Sequence, residues 1–369
     1  MRFTFVMFEG GGNVPVQLAV ARRLVARGHA VRVLGDPAIA GPAAAAGCAF
    51  GAFATAPAQN PMKQFDLFGR EVLFGPAEAY ARDLLADVAQ HPSDALAVDC
   101  LLFGALAGAE RAGLPTAQLH HMPYSVPTPG VPPFGMGFHP ARGPLGRLRD
   151  RVVGAATARM FEKTGRDRLN AARAAIGLSP VASVFDQLAR QDRVLVLTSR
   201  AFDFAARVTL PDNVVFCGPQ LDDPAWVDAW TPPWPAGASD PLVAVALGST
   251  FQDQGPLVQR AIDALGALPV RGLVTLGGVF SPGDFRAPAN VAVVGSAPHG
   301  TVLPMASVVV AHGGHGTVMK ALAHGKPLLC VPLGRDQADN AARVEVAGAG
   351  LRARPSASAS RLRAGVERL

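Results

Sequence analysis

Between residues 308 and 350 the chain reads VVVAHGGHGTVMKALAHGKPLLCVPLGRDQADNAARVEVAGAG, and its opening is spaced for holding an anion. Gly313, Gly314 and Gly316 stand between an apolar, strand-like run and a helical one. Backbone N–H groups at such a helix start carry the positive end of the helix dipole, and residues without a Cβ let an anion come close. Thr317 adds a hydroxyl, and His312 and His315 add imidazoles able to donate to phosphate oxygens. The glycines alone equally suit a tight strand-to-helix turn. His312 and His315 alone are half a metal site with no carboxylate or cysteine at ligand spacing, so no metal is expected.

This segment resembles the donor half of the GT-B glycosyltransferases, in particular the family 1-like, nucleotide-sugar-dependent enzymes that glycosylate natural products such as macrolides. The family pattern His-Gly-Gly-x-Gly-Thr, then Ala-Leu-x-x-Gly-x-Pro, then Asp-Gln-x-x-Asn-Ala is met at 312–317, 321–327 and 336–341. LGST at 247–250, GLPTAQL at 113–119 and ARGHAVRVLG at 26–35 extend the resemblance over nearly the whole chain. It implies a diphosphate held by His312 and the backbone of Gly313, Gly314, Gly316 and Thr317, with Ser249 and Thr250 facing it. It also implies sugar hydroxyls met by Asp336 and Gln337, and a nucleobase covered by the loop carrying Ser296, Ala297 and His299. At the position of the family's ribose-contacting glutamate the chain has Lys320, suited to phosphate or to solvent.

The resemblance also implies a base. Relatives carry Gly-His-x-x-Pro in the first loop, where the histidine takes the acceptor's proton and an aspartate on a later strand orients it. Here the loop is GGGNVP, so Gly12 or Asn13 stands at the position and neither is a base, whereas the aspartate is present as Asp99. Glu9 in the same loop, His120 or His121 beyond the next strand, and Asp99 itself are the candidates for the proton. Glu9 also suits a solvated loop carboxylate, and the two histidines structural roles. The expected activity is sugar transfer, most simply inverting, from a UDP- or dTDP-sugar to a small apolar acceptor, with no cofactor besides the donor. A catalytically silent sugar-nucleotide-binding protein and a sugar-nucleotide epimerase of the same architecture remain as alternatives.

The elements that must position these residues are legible from periodicity. Residues 3–8 form an apolar strand, 9–14 a glycine loop and 15–27 a helix closed by Gly28, followed by a strand at 31–34. Strand-like runs at 94–99, 116–119 and 194–198 continue the alternation, with a helix at 103–112 and a long one at 148–176. After a Pro-rich stretch at 218–240 it restarts, with strands at 242–247, 270–276, 291–294, 308–311 and 328–331. Such alternation implies parallel, doubly wound sheets. The expected fold is therefore α/β of GT-B type, two Rossmann-like domains with the ligand in the cleft between them: an acceptor domain at 1–217, a linker at 218–240 and a donor domain at 241–369. Seven prolines between His120 and Gly146 mark a long loop of the functional kind.

Composition narrows the class. With 49% hydrophobic and 17% charged residues in 369, the chain can bury ample core. Its formal charge of +6 comes from scattered arginines with few aromatics among them, which argues against nucleic acid. Four separated cysteines signal neither zinc nor a disulfide framework, and no run of about 20 apolar residues spans a bilayer. A cytoplasmic protein is expected, with a homodimer as one option for its assembly. The chain ends soon after SASASRLRAGVERL, where relatives continue with helices crossing back to the first domain, implying a less firmly clamped cleft or a shortened sequence.

Overall fold

The computed structural model describes residues 1–62, 72–224, 230–235 and 237–369. It divides into two compact units, one of residues 1–133 and 140–220, the other of residues 134–139 and 221–369. The long Pro-rich loop thus lends six residues to the second unit. Part of the stretch expected to be a linker lies outside the described residues, and residues 221–224 already belong to the second unit.

The first unit is built on seven strands: β1 Arg2–Met7, β2 Ala30–Gly35, β3 Ala49–Ala52, β4 Ala95–Asp99, β5 Thr116–His120, β6 Arg193–Val196 and β7 Val214–Phe216. All pair in parallel, in the order β3-β2-β1-β4-β5-β6-β7. Because both faces of a parallel sheet are covered by helices, its strands read as apolar runs, and alternate residues serve opposite layers. On β1, Phe5 and Met7 pack with Val14, Leu18 and Ala21 of the helix Asn13–Ala26. Val6 faces the other layer, with Tyr80 and Leu84 of the helix Ala77–Gln90 and Leu106 of the helix Phe103–Ala112.

The second unit repeats the plan with β8 Leu242–Ala246, β9 Arg271–Thr275, β10 Val291–Val294, β11 Ala306–Ala311, β12 Leu328–Cys330 and β13 Gly350–Arg352. Its order is β10-β9-β8-β11-β12-β13, again all parallel. In such sheets ligands bind outside the carboxyl ends of the strands where the order reverses. That point falls between β1 and β4 in the first unit and between β8 and β11 in the second. The short outer strands β3, β7 and β13 were not foreseen, since three or four residues give periodicity too little to act on. Among the described residues no helix is long and apolar enough to cross a membrane.

Candidate active site

In the second unit the loop after β11 turns directly into the helix His315–Ala323. Gly313 has φ +87°, and a Cβ there would come 2.8 Å from the Gln337 carbonyl oxygen. A Cβ on Gly314 would collide with His312 Nε2. The glycines therefore keep open the space around the imidazole edge and the helix start. His312 Nδ1 lies 3.2 Å from the Ala246 carbonyl oxygen at the end of β8, and a carbonyl can only accept, so Nδ1 carries the proton. Burial depresses the His312 pKa, helped by the Arg335 charge and opposed by the Ala246 bond and Asp336. The resting imidazole is neutral, with Nε2 as an acceptor. Donation to a phosphate, as expected from the sequence, requires His312 to take up a second proton.

Around this loop the other expected donor residues fall into two groups. Ser249 is exposed in the loop after β8 and Ser296 is exposed after β10, while Asp336 is half-buried. Thr250 and Ala297 are buried, as is His315 in the first turn of its helix. Asp336 Oδ2 accepts from Asn340 Nδ2 at 2.8 Å, and the same nitrogen donates to the Gly313 carbonyl at 2.9 Å, so Asn340 ties the two motifs together. Gln337 departs from its expected place. It is 2% exposed. Its Oε1 accepts from the backbone N–H groups of Leu333 (2.7 Å) and Gly334 (3.1 Å), and its Nε2 donates to Gln252 Oε1 at 2.9 Å. These bonds brace the loop at Leu333 and Gly334 and tie it to Gln252.

Lys320 is neither at solvent nor reaching for phosphate. Its Nζ donates to Asp223 Oδ1 at 2.7 Å, and Asp223 Oδ2 accepts the Gly300 N–H at the same distance. Burial and the Lys320 charge bring the adjacent His299 imidazole down to about 4, so it stands neutral. Residues 134–139 are strapped to the same unit. Gly135 and Gly137 N–H donate to the two oxygens of Asp339 at 2.6 and 2.7 Å, Arg352 Nη1 donates to the Gly137 carbonyl at 2.9 Å, and His139 Nε2 lies 3.0 Å from Glu345 Oε2. Nothing in the sequence pairs these residues across some 200 positions.

In the first unit the candidates for the proton separate at the end of β5. Asp99 ends β4 with no exposed surface. Its Oδ1 accepts the Leu101 N–H at 2.9 Å, and its Oδ2 accepts from Asn13 Nδ2 at 3.0 Å and Gln17 Nε2 at 2.5 Å. His121 Nδ1 stands 3.5 Å from the same Oδ2, its side chain 14% exposed. Leu119, two residues earlier, packs in the layer of the helix Asn13–Ala26, and His121 comes to Asp99 beside Asn13 and Gln17 of that helix. His120 is fully buried and stacks at 5.5 Å on Tyr124, with no hydrogen-bond partner for either ring nitrogen. Burial drives its pKa to about 3. His120, named with His121 after Asp99 and Glu9 as a candidate, is a buried core residue packed on Tyr124.

Glu9, another candidate, is tied by one oxygen to its own loop. Its Oε1 accepts the Gly11 N–H at 2.8 Å, closing its own loop, and burial together with neighbouring Asp36 raises its pKa. Asp99 itself, surrounded by donors, is an orienting carboxylate more than a free base. Asn13 is fully engaged, its Oδ1 accepting the Gly10 N–H and its Nδ2 donating to the Phe8 carbonyl as well as to Asp99. At Gly12 a Cβ would meet nothing within 4 Å. Among the described residues one trio, Asp99, Cys100 and His121, brings metal-type ligand atoms within 4.8 Å of one another. Its carboxylate Oδ2 already serves two amides.

Residues 259–369 match the family described as erythromycin biosynthesis protein CIII-like, C-terminal domain. The 4'-demethylrebeccamycin synthase of Lentzea aerocolonigenes is 31% identical over 361 residues, covering 93% of this chain and 85% of the relative. The chain belongs to the natural-product glycosyltransferases of GT-B architecture. The solved glycosyltransferase of kitacinnamycin covers all of this chain and 90% of its own, with a TM-score of 0.78 at 26% identity. The glycosyltransferase VinC in complex with dTDP shares the fold at 18% identity and a TM-score of 0.68, over 100% of this chain and 90% of its own. Within this family of glycosyltransferases the α/β fold with two parallel sheets is the shared frame.

Proposed function

We propose that this glycosyltransferase moves a sugar from a nucleoside-diphosphate donor of the UDP or dTDP type to a small, largely apolar acceptor, with inversion. The observation that carries the reading is the cradle of Gly313, Gly314 and His312 at the strand-order reversal of the second unit, open at a helix start. Backbone N–H groups there neutralise an anion without a metal, and a protonated His312 adds a charged donor. The dTDP bound by VinC, which shares the fold, agrees with a pyrimidine diphosphate.

The chemistry is a single displacement. The acceptor oxygen forms a bond to the anomeric carbon while that carbon's bond to the diphosphate oxygen breaks, and the diphosphate leaves into the cradle. The acceptor's proton goes to His121 Nε2. Asp99, 3.5 Å from the opposite nitrogen of that imidazole, stabilises the imidazolium by its charge, while the amides of Asn13 and Gln17 hold Asp99. Asp336 accepts from sugar hydroxyls, and Ser249, Ser296 and His299 line the rest of the donor.

The test is a screen of UDP- and dTDP-sugars, first for thermal stabilisation and then for turnover with apolar hydroxylated acceptors, following the product's anomeric configuration by NMR. Transfer with inverted configuration is the expected result. Tight donor binding with neither transfer nor slow hydrolysis would establish a silent binding protein instead, and interconversion of sugar nucleotides without an acceptor would establish an epimerase.

A further inference from the structure

His121 Nδ1 and Asp99 Oδ2 face one another at 3.5 Å, and Nδ1 has no hydrogen-bond partner. The gap lies past the hydrogen-bonding range of about 2.7–3.2 Å. It matches a different contact. A nitrogen and an oxygen each about 2.1 Å from one zinc ion, at the tetrahedral angle, stand about 3.4 Å apart. The buried Cys100 supplies a sulfur at the same place, since ligand atoms of Asp99, Cys100 and His121 all lie within 4.8 Å of one another.

Gln17 points the same way from another element. It is fully buried, and while its Nε2 donates to Asp99 Oδ2, its Oε1 has no hydrogen-bond partner. Buried polar atoms left in that condition are uncommon. One end of this amide is orphaned whichever way it is turned, so a cation beside Asp99 decides the matter. Turned over, the amide offers Oε1 as a fourth ligand and releases the Oδ2 lone pair that the metal takes. Asn13 Nδ2 keeps its bond to Oδ2, and the Leu101 N–H keeps its bond to Oδ1.

We propose that Asp99, Cys100, His121 and Gln17 form a zinc site, and that zinc bound there silences the base. Thiolate, imidazole and carboxylate are zinc's own donor types, and the sulfur disfavours magnesium and calcium. Binding deprotonates the Cys100 thiol, whose proton passes to solvent. A neutral imidazole bound through Nδ1 carries its proton on Nε2, the atom that otherwise takes the acceptor's proton. The silencing rests on the reading of His121 as the base, whereas the binding does not.

The test titrates cobalt(II), a coloured substitute for zinc, into the protein and follows the thiolate-to-cobalt charge-transfer absorption, with zinc then added to displace it. One equivalent should bind with this absorption. Cys100→Ala should lose the absorption, and both Cys100→Ala and His121→Ala should bind zinc at least about tenfold more weakly, since losing a ligand costs no less than losing a group behind one. Cys217→Ala, which removes the exposed thiol, should bind as wild type does. Thermal melts establish that each variant is folded. Turnover at saturating donor, taken against each protein's own zinc-free rate, should fall with zinc in wild type, and Cys100→Ala should need at least about tenfold more zinc for the same loss. An absorption that survives Cys100→Ala, or that vanishes with Cys217→Ala, overturns the site. So does a wild type that binds neither metal, and the reading of His121 as the base then stands. Zinc held through Cys100 without inhibition overturns the silencing and, with it, that reading.

Discussion

His121 Nδ1 stands 3.5 Å from Asp99 Oδ2, whereas its neighbour His120 is sealed in the core against Tyr124. One step in sequence decides between a partner for the carboxylate and a buried aromatic. The first prediction follows. His121→Ala should lower kcat by about 10²–10⁴-fold while nucleoside-diphosphate affinity, a property of the other unit, is unchanged. Steady-state kinetics, with calorimetry for the donor, check both parts.

The open space at Gly12 supplies a complementary prediction. Nothing lies within 4 Å of a Cβ at that position, and the family resemblance implies a histidine in this loop. Gly12→His in the His121→Ala background should recover part of the lost turnover, whereas Asn13→His should not. Asn13 holds Phe8, Gly10 and Asp99 together, and its replacement unties the loop. Turnover of the two double variants, compared at equal folded fraction, decides the matter.

The cradle predicts a proton taken up with the ligand. His312 rests neutral because burial lowers its pKa more than the Nδ1–H bond to Ala246 raises it. A diphosphate at Nε2 favours the imidazolium and so raises the pKa in the complex. Affinity should then be strongest at low pH and decline as pH rises through the pKa of the complex. The ligand's own phosphate titrates too, so the measured quantity is the difference between wild type and His312→Asn in proton uptake, from calorimetry in buffers of different ionisation enthalpy. Equal uptake by both proteins would refute the assignment.

The alternating strands, the glycine loop and the Asp-Gln-x-x-Asn segment were legible in the sequence because they rest on local periodicity and short spacings. What was not legible is long-range. GGGNVP shows a loop without a histidine, but only the approach of β4 to the helix Asn13–Ala26 shows Asn13 and Gln17 converging on Asp99. Gln337 reads as a sugar ligand until the loop at Leu333 and Gly334 folds onto it. Lys320 reads as phosphate-seeking or solvated until Asp223, nearly 100 residues away, is placed beside it.

Gln337→Ala should therefore act on the fold of the donor loops. Losing the acceptor for Leu333 and Gly334 leaves backbone donors to find water, at a cost of about 1–3 kcal/mol. Affinity for a bare nucleoside diphosphate and for its sugar conjugate should fall together. A variant of unchanged stability that loses only its discrimination among sugars would return Gln337 to the sugar.

His120 gives the first unit an acid-sensitive core. Its folded pKa of about 3 lies below the ordinary histidine value of 6.5. A group depressed in this way contributes stability that is complete above the unfolded pKa, and that contribution is lost as pH falls from 6.5 toward 3, at about 1.4 kcal/mol per pH unit at most. The cause is burial, since neither ring nitrogen has a hydrogen bond and neighbouring His121 adds like charge. His120→Leu keeps the apolar contact with Tyr124 and removes the titration. Denaturant melts at pH 7.5, 6 and 5 should show wild type losing stability more steeply than His120→Leu over this window, the two slopes differing by about one bound proton. His299 and His312, with lowered pKa values in the second unit, contribute equally to both proteins and cancel in the difference. Parallel slopes would mean that His120 is hydrated or partnered in solution, and that the two faces of the strand end are less distinct than the packing against Tyr124 shows.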